Sequence, residues 1–306
     1  MKRILPIILV VFLCVMPAWG DEVDEGLPNK ATEQIRTRTR AMINVGIAED
    51  EAVKMTSMMI QNRFQHRNTL RAQQIAIDAI ENGLPAEPVM NKAFEGMAKN
   101  VPEDRVVQAM EKTRDRYSNA YRYANEFTQN RKKRNDIGNA LAQGFAAGMA
   151  NGDVDRTMEG LRQRTRQMTR SRTEELAKES CLALRTMARR GVSSEIAADV
   201  VTMALQQKYT AQEMQQMHNM FMTRSMNVDP NKLAQHYAYA IGQGVKAGNL
   251  SSSQMGETAQ TGKNSGTNGS GSSGGGSGSG SGGPWSNGPW SNGSTSNGAA
   301  GVVRRR

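Results

Sequence analysis

Apolar residues recur at spacings of three and four along most of the chain between residues 30 and 248. Residues 86–99 show the pattern clearly, with Met90, Ala93, Phe94, Met97 and Ala98 on one side of a helical wheel. This period is that of an amphipathic α-helix with one buried face. The pattern therefore predicts an all-α protein in which each helix packs one face on its neighbours.

The sequences between the predicted helices share one design. A Gly or Asn that can take the left-handed conformation is followed by an apolar residue that folds back on the last helical turn. Five joints fit this pattern: Gly46-Ile47, Gly83-Leu84, Asn100-Val101, Gly191-Val192 and Asn227-Val228. Only one or two residues then remain before the next helix, so consecutive helices are expected to form hairpins.

The next helix is predicted to begin in one of two ways. Pro85, Pro102 and Pro230 are suited to the first helical position. Side-chain caps are the other way: Asp229 can cap directly before Pro230, and Thr210 with Glu213 has the spacing of a capping box.

Residues 48–82 contain neither Gly nor Pro, so nothing in their composition breaks a helix. If residues 48–82 formed one unbroken helix, it would extend about 52 Å; the alternative is a bend near residues 65–68. Residues 153–190 form a second long Pro-free stretch.

The joints recur along the chain, which indicates an internal duplication. The joints at Gly83 and Asn100 are repeated at Gly191 and Lys208, each 108 residues later. Residues 140–148 are nearly repeated by residues 240–248, which are 100 residues later. We interpret this as two copies over about 47–148 and 154–248, with the small residues allowing helices to approach closely. The spacing between joints is too uneven for a regular repeat family. The predicted fold is all-α: antiparallel helical hairpins in an internally duplicated bundle or irregular α-solenoid.

Both ends of the chain differ from this helical domain, which is predicted over residues 30–250. Residues 1–20 combine Lys2 and Arg3, an apolar run and a small-residue end, which predicts a signal peptide and hence a periplasmic or extracellular protein. Residues 21–29 are acidic and expected to be disordered. Residues 251–306 are rich in Gly, Ser and Asn and are predicted to be a disordered tail.

The tail contains the sequence Gly-Pro-Trp-Ser-Asn twice, at residues 283–287 and 288–292. Its tryptophans could stack on sugars or enter a membrane interface, or the tail could be a spacer. No segment of the mature chain has the length of apolar sequence that a transmembrane helix needs.

Composition restricts the chemistry further. Removal of the predicted signal peptide leaves a single cysteine, Cys181, so no intramolecular disulfide is expected. Its apolar neighbours favour a buried thiol over an intermolecular bridge or a reactive group. The formal net charge of the chain is +10, which favours anionic surroundings.

No catalytic or metal motif is present, and no cofactor is predicted. His66, His218 and His236 are scattered, and none has a zinc-binding spacing. The sequence therefore predicts a protein that is not an enzyme. The alternative is an enzyme that acts on cell-wall or surface polymer through carboxylates that the sequence does not identify.

One methionine-rich face could bind Cu(I) through thioether and imidazole groups. Its residues are Met214, Met217, His218 and Phe221. The corresponding positions of the earlier helix are apolar, so we interpret the face as part of the core.

The candidate binding residues lie in a basic stretch over residues 131–172, which holds ten Lys or Arg against four acids. Arg131, Lys132, Lys133 and Arg134 open it. Further along, Arg162, Arg166 and Arg170 recur every four residues and are predicted to form a strip along one helix. Such a strip could bind extracellular DNA, lipopolysaccharide phosphates or acidic polysaccharide. A solvated helix face is the alternative, because Gln and Thr stand between the arginines where base stacking would need aromatics. The sequence thus favours an exported binding or scaffold protein whose partner is an anionic polymer or another cell-surface component.

Overall fold

The computed structural model describes residues 21–250, and within them every regular element is helical. The prediction of an all-α fold is confirmed, while the predicted signal peptide and the predicted disordered tail lie outside the described residues. The α-helices are α1 (Asp21–Gly26), α2 (Glu33–Asn44), α3 (Glu49–Gln61), α4 (His66–Glu81), α5 (Glu87–Ala98), α6 (Glu103–Phe127), α7 (Arg131–Ala146), α8 (Asn151–Thr165), α9 (Arg170–Arg189), α10 (Ser194–Gln206), α11 (Ala211–Arg224) and α12 (Pro230–Gly242). A 3-10 helix, Ala247–Asn249, follows α12.

The expectation of disorder at residues 21–29 is wrong. Residues Asp21–Gly26 form α1, and Val23 and Leu27 are buried beside Ile35 of α2. These apolar side chains remove surface from water, which offsets the cost of ordering an otherwise acidic segment.

Four of the five predicted left-handed joints are confirmed. The φ angle is +102° at Gly46, +70° at Gly83, +52° at Asn100 and +83° at Gly191. At Gly83 the backbone N–H donates to the carbonyl of Ile80, and the N–H of the next residue, Leu84, donates to that of Ala79, both at 2.8 Å. This pair of bonds satisfies carbonyls that the end of α4 would otherwise leave open.

The fifth joint, Asn227, is not left-handed. Its N–H donates to the carbonyl of Arg224 at 3.1 Å, so the chain leaves α11 through an ordinary turn. Four further residues, which were not predicted to be left-handed, also take this conformation: Arg63, Gly148, Lys208 and Gly244.

Arg63 explains why residues 48–82 do not form one helix. Its φ is +59°, and α3 ends at Gln61 while α4 begins at His66. Phe64, the residue after it, donates to the carbonyl of Met59 at 3.0 Å, which is the same capping bond that Leu84 makes. The prediction of a bend was therefore close, and the unbroken 52 Å alternative is wrong.

The predicted helix starts agree in part. Thr210 and Glu213 form the predicted capping box, and Asp229 accepts the N–H of Lys232 at 2.8 Å. Pro230 is the first residue of α12, as predicted. Pro85 instead precedes α5, which begins two residues later at Glu87.

The chain divides into two compact units, and the boundary between Asp115 and Arg116 falls within α6. In the first unit α1 packs on α3, α2 on α4, and α3 on α5. In the second unit α7 packs on α9, α9 on α11, α8 on α10, and α10 on α12. Within each unit these helices thus pack on the helix two places further along, and some also pack on the next helix, as α2 does on α3 and α11 does on α12. This packing within each unit fits the predicted antiparallel hairpins of a bundle or an irregular α-solenoid.

The joints show the length of the repeating hairpin. Left-handed residues are 37 apart at Gly46 and Gly83 and 36 apart at Lys208 and Gly244. Hydrogen bonds between neighbouring hairpins have the same reach: the hydroxyl of Tyr209 donates to the carbonyl of Val245, 36 residues away, at 2.6 Å. Gly83 follows α4 and Gly191 follows α9, so the offset of 108 spans five helices and is not a whole number of hairpins.

The predicted equivalence of residues 140–148 and 240–248 is wrong. Gly148 is left-handed, whereas Gly248 lies in the 3-10 helix, and the left-handed residue after α12 is Gly244. The backbone conformation of the joint sets the register, and small residues alone do not. Close approach is nevertheless confirmed at Gly144, where a Cβ atom would lie 3.9 Å from the Cα atom of Arg185 in α9.

Candidate polyanion-binding surface

The structure places the candidate residues at three helix ends of the second unit. Residues 131–134 form the first turn of α7, Arg162 lies in the last turn of α8, and Arg170 is the first residue of α9. Arg166 lies between α8 and α9. The prediction that Arg162, Arg166 and Arg170 form a strip along one helix is therefore wrong.

The break between α8 and α9 has a local cause. Thr169 is extended, with φ of −64° and ψ of 153°, and the N–H of Met168 closes a turn on the carbonyl of Thr165 at 2.9 Å. The segment contains neither Gly nor Pro, so its sequence does not mark the turn.

The two basic segments meet around one buried carboxylate, Glu174 of α9. The Lys133 Nζ atom lies 3.0 Å from Glu174 Oε2 and 3.0 Å from Glu175 Oε1. Arg170 Nε lies 3.2 Å from Glu174 Oε1, and the Thr128 hydroxyl donates to the same oxygen at 2.8 Å. Residues separated by almost 40 positions in the sequence thus lie side by side. The hydrogen bond from Lys133, followed by that from Thr128, lowers the pKa of Glu174, which is therefore ionised at neutral pH.

Arg162 is already neutralised by neighbouring acids. Its guanidinium lies 2.8 Å from Glu126 of α6 and 2.8 Å from Glu159 of α8. These two hydrogen bonds raise the pKa of Arg162. Its role is to join α6 to α8, and it adds little free charge to the surface.

Other basic residues of this region keep their charge exposed. Arg131, Lys132, Arg166 and Arg172 are solvent-exposed, and none forms an ion pair with another residue of the described range. Arg134 is half-buried, and its Nε atom has no hydrogen-bond partner within residues 21–250. Arg172 is not among the residues that the sequence predicts for the site.

We call this cluster the basic end. Its members are Arg131, Lys132, Lys133, Arg134, Arg166, Arg170 and Arg172. The N-termini of α7 and α9 add partial positive charge to it.

Among residues 21–250, no exposed aromatic side chain lies on the two helices that begin at the basic end or in the last turn of α6. Phe127, which ends α6, is buried, and the aromatic residue of α7, Phe145, lies at the opposite end of that helix. Binding here would depend on charge and on guanidinium hydrogen bonds, without stacking on bases.

The methionine-rich face of α11 is part of the core, as predicted. Met214, Met217 and Phe221 are fully buried, and Phe221 stacks edge-on against Tyr237 with ring centroids 5.9 Å apart. No group of three His, Cys, Asp or Glu residues is placed to hold a metal within residues 21–250. The Cu(I) hypothesis itself stays untested.

His218 and Cys181 are also buried in the second unit. The Nδ1 atom of His218 lies 3.9 Å from Glu179 Oε2. Burial lowers the pKa of His218, and the nearby positive charge of Arg185 lowers it further. Burial raises the pKa of the Cys181 thiol to about 12, which agrees with the predicted buried, unreactive cysteine.

A shallow depression of about 380 Å³ in the first unit is lined by two carboxylates, Asp104 and Glu111. Asp104 accepts a hydrogen bond from the side-chain amide of Asn68 at 2.9 Å, and Glu111 forms an ion pair with Arg71 at 2.8 Å. Each carboxylate is bonded to a neighbouring side chain, so this depression adds nothing to the enzyme hypothesis, which stays untested.

No helix within the described range has the length and apolar character needed to cross a membrane. No protein-family model, curated protein or solved structure matches the chain.

Proposed function

We propose that this chain is an exported, non-enzymatic binding or scaffold protein that engages polyanions through the basic end. One observation carries the proposal: two basic segments far apart in sequence meet around Glu174 and leave Arg131, Lys132 and Arg166 exposed without ion pairs in the described part of the chain. Export is proposed from the sequence of residues 1–20 alone.

The physical basis is release of counterions. A polymer with closely spaced phosphates or sulfates holds a layer of condensed cations, and protein cations that replace them gain the entropy of their release. Binding should therefore weaken steeply with salt. Because the basic end has no stacking surface, it should show little preference among base sequences.

The test is binding of heparin and of a DNA duplex at several salt concentrations, comparing the wild type with a triple variant. The variant replaces three exposed residues of the basic end: Arg131→Gln, Lys132→Gln and Arg166→Gln. For the duplex, the slope of log K against log salt should fall in magnitude by about 2.7, because each lost phosphate contact contributes about 0.9.

A matched control removes three positive charges from the first unit. It replaces exposed residues that form no ion pair with described residues: Arg67→Gln, Arg105→Gln and Lys112→Gln. The control should keep the wild-type slope. Equal losses in the two variants would show that net charge, and not the basic end, governs binding, and a wild-type slope near zero would reject polyanion binding altogether.

A further inference from the structure

Glu174 is a carboxylate buried at the centre of a surface that we propose to bind anions. Its side chain is 8% exposed and accepts hydrogen bonds from residues in three parts of the second unit. The donors are Thr128 in the connection between α6 and α7, Lys133 in the first turn of α7, and Arg170 at the start of α9. One carboxylate thus joins the N-termini of two helices to the segment that precedes one of them.

The bonds continue from Glu174 into the backbone of α7. The Thr128 hydroxyl, which donates to Glu174, also accepts the N–H of Asn130 at 3.0 Å. Asn130 is the N-cap of α7, and its side chain accepts the N–H of Lys133 at 3.1 Å. Because Arg131 and Lys132 lie between these two capped positions, their direction depends on the bonds that Glu174 organises.

We infer that Glu174 is the positioning residue of the basic end: it holds the first turns of α7 and α9 so that Arg131, Lys132 and Arg166 face one polyanion together. The inference rests on the proposed function. A negative charge at this place weakens the attraction for an anionic polymer, so its benefit to binding has to be geometric.

The effects of charge and of geometry on polyanion affinity are therefore opposite in sign, so a change in affinity distinguishes them. Glu174→Gln removes one negative charge. If charge alone matters, binding becomes tighter. If Glu174 positions the cations, binding becomes weaker although the net charge is more positive.

Glu159→Gln is the matched control. Glu159 lies on α8, half exposed, and pairs with Arg162, which keeps its second partner Glu126 after the change. The control removes the same charge from the same region without touching the bonds of Glu174. It should bind a DNA duplex and heparin more tightly than the wild type.

Binding is measured for the three proteins near 0.1 M salt, well below their melting temperatures. We expect Glu174→Gln to raise the Kd by about three- to fivefold, the effect of losing one or two charge contacts, and to lower the salt slope by about one. Loss of global stability would reduce the active fraction without changing the slope. A Kd for Glu174→Gln equal to or below that of the wild type would overturn the inference.

Hydrogen exchange separates this inference from the proposed function. In Glu174→Gln, the hydrogen-bonded amides at these helix starts, those of Asn130, Lys133, Arg134 and Thr173, should exchange faster than in the wild type and in Glu159→Gln. Unchanged exchange there would show that Glu174 does not hold these turns, whatever the binding result. If the wild type showed no salt-dependent binding, the proposed function would be wrong, and the exchange rates would still decide whether Glu174 has a positioning role.

Discussion

Replacing Gly191 by alanine isolates the conformational cost of a left-handed joint. The φ angle of Gly191 is +83°, and a Cβ atom there would meet no atom within 4 Å. No packing is disturbed, so the cost arises from the backbone alone and should be about 1–2 kcal/mol. For about 230 ordered residues this corresponds to a fall in the melting temperature of about 2–8 °C.

The opposite change at the next joint should stabilise the protein. Lys208 is exposed and has a φ of +59°, so it already bears the cost that glycine would avoid. Lys208→Gly removes this strain, which stabilises the folded state by about 1–2 kcal/mol. Glycine also gives the unfolded chain more conformational freedom, which lowers the free energy of unfolding by about 0.5–1 kcal/mol. We expect a net gain of about 0.5–1 kcal/mol.

Melting followed by circular dichroism, together with urea unfolding, measures both changes. Gly152→Ala is the control, because Gly152 lies in the first turn of α8 without a positive φ and with nothing near its Cβ position. Its stability should be unchanged or slightly higher. Equal stability of Gly191→Ala and the wild type, or a loss of stability in Lys208→Gly, would refute the assignment of these residues to left-handed capping joints.

Two further predictions concern buried contacts of the second unit. The pKa of His218 is lowered in the folded state, so the unfolded chain binds the extra proton first as the pH falls below about 6.5. The free energy of unfolding should therefore decrease with falling pH until the pH passes the folded pKa. Urea unfolding at about pH 7.5 and about pH 5 should show a smaller decrease for His218→Gln than for the wild type, and equal decreases would contradict this. Gly138→Ala would place a Cβ atom 2.3 Å from the ring of Tyr121, so it should destabilise the protein by about 1–3 kcal/mol in the same assay, whereas an unchanged urea midpoint would mean that the ring moves without cost.

The glycine joints and the helical period could be read from the sequence because their causes are local. Gly83 and Gly191 are followed by apolar residues, and both are left-handed in the structure. Arg63 and Lys208 were not predicted to be left-handed, because Arg and Lys rarely take this conformation, although the offset of 108 from Asn100 marks a joint at Lys208. A usable signal existed: the distance from Gly191 to Lys208 is 17 residues, and the same distance from Gly46 leads to Arg63.

The arrangement of the basic residues could not be read from the sequence, because it depends on packing between distant helices. Lys133 and Arg170 meet only because α7 packs on α9. Likewise, Arg162 loses its free charge to Glu126, which is 36 residues away on α6. A period of four residues suggested a strip, but the turn after Thr165 places its members on different elements.

The packing of each helix on the helix two places further along limits which changes of length the chain can accept. Loss of a whole hairpin, about 36 residues at Gly46–Gly83 and at Lys208–Gly244, would leave every remaining helix in its own layer within a unit. Loss of a single helix of about 17 residues would move all later helices into the opposite layer and expose their apolar faces. Chains of this kind should therefore vary in length by pairs of helices, and a deletion of one hairpin should fold where a shorter deletion does not.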